Sequence, residues 1–189
     1  MKMLEVPDVN IVEWMADVTH DGKADRIVVD LAGIVSDTEA IGDNVRIYSG
    51  ETGKIIWSRK VSTEHVGQSG VYLYNDGENY YIMIWEQHMD FGKAMYHYDI
   101  IKLSDTGEEQ VVKNGSFSFT FSNVLENDAE NLKAFANEVN QYLEKSIVLL
   151  DTNNFQTLFS THLNKIVNKY DSTHDLKIME DSIMSIFCL

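Results

Sequence analysis

Apolar and polar positions alternate through the first two thirds of the chain, then recur at three- and four-residue steps through the last third. The first pattern has the period of strands and the second that of helices. Residues 26–32 (R-I-V-V-D-L-A) predict a β-branched strand. Val45, Ile47 and Tyr48 predict a second, turning at residues 49–53, and Ile55, Ile56 and Trp57 begin a third that runs to Val61. Residues 71–74 lead into Asn75-Asp76-Gly77-Glu78, whose residue types tolerate positive φ and signal a hairpin to residues 80–86. A further hairpin pairs residues 95–103 with 110–113 across Ser104-Asp105-Thr106-Gly107, and Phe117, Phe119 and Phe121 alternate with polar residues as in a half-buried strand.

Past Asn123 the period changes. Leu132, Phe135, Ala136, Val139, Tyr142 and Leu143 fall on one helical face, with Asn127 and Glu130 as an N-terminal cap. Phe155, Leu158, Phe159, Leu163, Ile166, Val167 and Tyr170 form the stripe of a second helix, and residues 176–187 a short third. Strands first and helices after predict an α+β fold. An antiparallel meander over residues 26–121 would be followed by two or three helices packed on it. A single proline and no composition break give one domain, strand-rich over 1–122 and helical over 123–189.

Charge narrows the partners. Thirty acidic and 15 basic residues give a net charge of −15, which repels phosphate backbones and anionic headgroups. Nucleic acid and membrane insertion are therefore not expected, and cations and basic partners are. The longest interior aliphatic run is residues 147–150, far short of the roughly 20 apolar residues of a membrane helix. Cys188 is the only cysteine, so an intrachain disulfide is impossible and a cysteine-rich zinc site is excluded. The first residues show no export signal, which predicts a cytoplasmic chain, or a secreted one lacking its leader.

The densest candidate chemistry is residues 17–25, D-V-T-H-D-G-K-A-D. Asp17, Thr19, Asp21 and Asp25 stand at relative positions one, three, five and nine, and Gly22 at position six, where a calcium loop turns sharply. Lys23 would offer its carbonyl. Ca²⁺ takes six to eight hard oxygens, and clustered carboxylates are costly without a cation. An EF-hand is excluded, because position twelve is Val28 and the flank is a strand. The bland alternative is an acidic Asx-turn with Lys23 and Arg26 as counter-ions. The segment resembles the calcium loop of FG-GAP and VCBS repeats, and a D-x-T-H-D-G-x-x-D-x-I-V-V segment of secreted or lipid-anchored proteins of Gram-positive bacteria. That resemblance implies an extracellular or cell-surface module with weak structural Ca²⁺ and a non-enzymatic role, binding a protein, peptide or carbohydrate.

Two other groups compete. Glu86, His88 and Asp90 alternate on one strand, with His97 on the next, and would suit a metal-dependent hydrolase as the alternative function. His65 lies near Glu64 and Ser69, but no nucleophile elbow surrounds that serine. No P-loop or dinucleotide fingerprint is present. Trp57, Trp85 and tyrosines 72, 74, 80, 81, 96 and 98 crowd adjacent strands, which favours core packing over an exposed binding strip.

Overall fold

A computed structural model describes residues 11–30, 44–61, 63–64, 67–90, 93–120 and 129–151. Its elements in chain order are β1 (Ile11–Ala16), β2 (Asp25–Asp30), β3 (Val45–Tyr48), β4 (Ile55–Arg59), β5 (Thr63–Glu64), β6 (Gly67–Asn75), β7 (Tyr80–Asp90), β8 (Lys93–Leu103), β9 (Glu109–Thr120), α1 (Ala129–Leu143) and β10 (Ser146–Asp151). The strands form two antiparallel sheets. One has four strands in the order β1-β2-β3-β4; the other has six, in the order β10-β6-β7-β8-β9 with β5 beside β6.

The α+β expectation is corrected by this arrangement. Among the described residues the chain is mostly strand with a single helix, and the predicted single meander is two sheets face to face. The predicted second and third helices, and the Asn127 cap, lie outside the described residues. Three strands are not legible in the sequence pattern: the two-residue β5, β1 and β10. β1 precedes the acidic loop and alternates too briefly to stand out. The Ile147 to Leu150 run, weighed only as a membrane candidate, returns after α1 to pair with β6 as β10.

Alternation decides what each face does. Ile27, Val29, Val45, Ile47 and Trp57 of the smaller sheet meet Val71, Leu73, Ile82, Ile84 and Ile101 of the larger, with Leu149 and Leu150 joining from β10. Fully burying one such side chain contributes roughly 1.5–3 kcal/mol, so this layer is the main stabilising contact. The other face of the larger sheet is aromatic. Trp85 stacks on Tyr96 with ring centres 5.1 Å apart, and Phe135 of α1 packs on Trp85, Tyr98 and Phe117 at 6.3, 6.1 and 5.8 Å. These aromatics are core, and α1 is held by them.

Candidate functional site

Residues 17–25 close the end of the sandwich. Asp25, at the start of β2, is fully buried. One of its carboxylate oxygens accepts from the Val18 amide at 3.0 Å, the Thr19 amide at 3.1 Å and the Thr19 hydroxyl at 3.1 Å. The other accepts from the Gly50 amide at 2.8 Å, tying this loop to the turn after β3. Asp17 takes the amides of Asp21 and Gly22 at 3.2 and 2.9 Å, and Asp21 takes that of Lys23 at 2.7 Å. Gly22 has a φ of 84°, the left-handed turn its position requires. Lys23 extends to Glu51 at 2.8 Å. That bond holds the Lys23 ammonium above its ordinary pKa and the Glu51 carboxyl below its own.

The loop is also pinned to the larger sheet. The Leu103 amide donates to the Val18 carbonyl at 3.4 Å, and His20 Nε2 lies 2.8 Å from the Tyr80 carbonyl oxygen. His20 stands edge-on to Tyr81 at 5.0 Å, and burial, with Asp76 alongside, raises the Tyr81 phenol's pKa. Beside this junction opens a cleft of about 580 Å³. Thr19, His20 and Asp21 form one wall; residues 102–105 and 108–110 of the β8–β9 hairpin form the other. Glu109 is spoken for, since its carboxylate accepts the Trp57 indole N–H at 2.6 Å. Asp21, which also accepts the Lys23 amide, Asp105 and Glu108 are the cleft's other carboxylates, against Lys102 and His20. The hairpin half of this cleft was read from sequence only as a turn. Its signal was the acidic density of S-D-T-G-E-E, which a turn also explains.

The second sequence candidate is partly assembled. Glu86 lies directly opposite His97 across β7 and β8, and His88 Nε2 approaches Glu86 Oε2 to 3.5 Å. Asp90 stands further along β7, opposite Lys93. Two residues missed in the sequence reading occupy these groups. Arg59, projecting from β4 of the smaller sheet, makes an ion pair with Glu86. Asp99 holds His97 at 3.0 Å. No cluster of three or more His, Cys, Asp or Glu side chains fit to hold a metal occurs among the described residues. His65 and Cys188 lie outside them.

The family model described as Mac 1 matches residues 17–185. The chain belongs to the Mac-1 family. No curated protein and no solved structure matches it. Membership in Mac-1 overturns the FG-GAP and VCBS resemblance, together with the calcium-binding label drawn from it. The physical reason is visible in the loop. The D-x-T-x-D-G-x-x-D spacing serves a turn whose Asp17, Asp21 and Asp25 oxygens accept from its own amides and from Gly50. These bonds are the ones the Asx-turn alternative calls for.

Proposed function

We propose that the chain is a non-enzymatic binding module that takes a cationic group, a lysine or arginine side chain of a protein or peptide partner, into the cleft between residues 17–25 and the β8–β9 hairpin. The observation that carries this reading is the cleft itself: about 580 Å³, walled by two cross-bonded turns and lined by four carboxylates, of which Glu109 is held by Trp57. A hairpin braced by Trp57 and a loop braced by Asp25 move little, so less ordering is lost when a ligand enters. The chain's −15 charge would speed the approach of a basic partner. Support against the hydrolase alternative comes from the Glu86 group, where Arg59 engages Glu86 and Asp99 engages His97.

The test uses a lysine- and arginine-rich peptide as probe, titrated calorimetrically. Replacing Asp105 by Asn with Glu108 by Gln should weaken binding tenfold or more. Neutralising Glu78 and Glu144, exposed acids elsewhere, removes the same charge and should weaken it far less. Equal weakening would reduce the effect to net charge and sink the cleft.

A further inference from the structure

The four-stranded sheet has a second face, turned away from the core it shares with the larger sheet. Register places Met15, Arg26, Tyr48 and Ile55 in one cross-strand row, and Glu13, Val28, Arg46 and Ser58 in the next. Ile11, Met15 and Ile55 are 49, 63 and 53 % exposed on it. Tyrosine, methionine and arginine are the residue types enriched where proteins meet, while lysine and acids are depleted. The chain has three arginines, and all stand in β2, β3 and β4: Arg26 and Arg46 on this outer face, Arg59 turned inward to Glu86.

We infer that this outer face is where a second copy of the chain docks. Two molecules of charge −15 repel one another at ordinary approach. Here Arg26 and Arg46 offset Glu13 and Asp30, so these four charges of the face sum to zero and add no net repulsion between two copies. The pattern is also self-complementary. Glu13 and Arg46 flank Val28 in one row, on β1 and β3. A twofold axis along β2 through Val28 lays each Glu13 over the other copy's Arg46, and each Met15 over the other copy's Tyr48, as an isologous contact requires. Arg26, near that axis, is turned aside onto the Tyr48 ring at 4.5 Å and towards Glu13 at 3.7 Å. Strand spacing gives the face about 20 Å by 20 Å. That is small beside the roughly 800 Å² per partner of stable complexes, so the dimer is weak and reversible. The inference stands apart from the cleft, which lies at the end of the sandwich.

The experiment is sedimentation of the full chain from micromolar to millimolar concentration, at low and high salt. A dimer should grow with concentration and with salt, because screening weakens the repulsion between two acidic molecules. Met15→Glu should abolish it while leaving the circular dichroism spectrum unchanged. Glu13→Arg and Arg46→Glu should each lower the dimer fraction severalfold, and the double variant carrying both should recover it, since the swap keeps opposite charges facing. A monomer at every concentration and salt would overturn the inference. So would a dimer indifferent to Met15→Glu, or a charge-swapped double variant no better than its parents.

Discussion

Gly107 lies so close to the backbone of Ile56 that a Cβ built on it would fall 1.6 Å from the Ile56 carbonyl oxygen. The β8–β9 turn of the larger sheet therefore touches β4 of the smaller, backbone to backbone. Its φ of 83° adds a second demand for glycine. Gly53 shares the left-handed conformation at φ 67° but has open space around it. Gly53→Ala should cost only the conformational penalty, about 1 kcal/mol. Gly107→Ala must also push the sheets apart, and should cost more than about 2 kcal/mol. Thermal melts of the two variants check this, and equal shifts would show that the contact contributes nothing.

Asp25 should matter as a structural carboxylate. Asp25→Ala leaves the Val18, Thr19 and Gly50 amides without their acceptor. Buried unsatisfied donors cost about 1–3 kcal/mol each before relaxation. A net loss of about 3 kcal/mol is expected, with wild-type melting unchanged between EDTA and millimolar Ca²⁺. A calcium-dependent rise of several degrees that vanishes in Asp25→Ala would return the loop to an ion-binding role.

Much of this was legible from residues alone. The turns at residues 49–53, 75–78 and 104–107 form where the sequence places them, Gly77 with the positive φ expected there, and Phe135, Val139 and Leu143 of the helical stripe are buried in α1. β9 was harder, because Lys113-Asn114-Gly115 reads as a break between two strands. In the structure it continues as one strand of 12 residues, and Gly115 passes under the Tyr98 ring, where a Cβ would stand 2.6 Å from a ring carbon. Periodicity reports which face of a strand is apolar, but not which sheet it joins. Hence one meander was expected where two sheets formed. The acidic loop misled for a related reason: carboxylates spaced for an ion are also spaced for the amides of a tight turn.

Alkaline pH should unfold the domain. Burial pushes the phenols of Tyr72, Tyr96 and Tyr98 above the ordinary tyrosine value, and nearby carboxylates of Asp151 and Glu138 add to the first and last. Below about pH 10 these phenols are protonated in both states, so their contribution is fully present. Above it the unfolded chain releases protons that the folded one keeps, and stability falls by about 1.4 kcal/mol per pH unit for each phenol. Tyr98→Phe should make that decline shallower by one such increment. Following tyrosinate absorbance and circular dichroism together should show these phenols ionising only as structure is lost. Their ionisation in a folded domain would contradict the burial.

Phe135 is the residue on which attachment of α1 should depend most. It is buried against Trp85, Tyr98 and Phe117, rings from three neighbouring strands. The helix makes one further tie to β9, Lys113 to Glu138 at 2.9 Å, but that ammonium is half exposed. Such pairs contribute at most about 1 kcal/mol. Deleting a buried phenyl ring typically costs about 3–5 kcal/mol through lost transfer energy and the cavity left behind. Phe135→Ala should therefore lower the melting temperature far more than Lys113→Ala does. It should also change tryptophan fluorescence, because Trp85 loses its cover while Trp14 and Trp57, both on the smaller sheet, keep theirs. If the two variants melt alike, the aromatic layer is not what holds the helix.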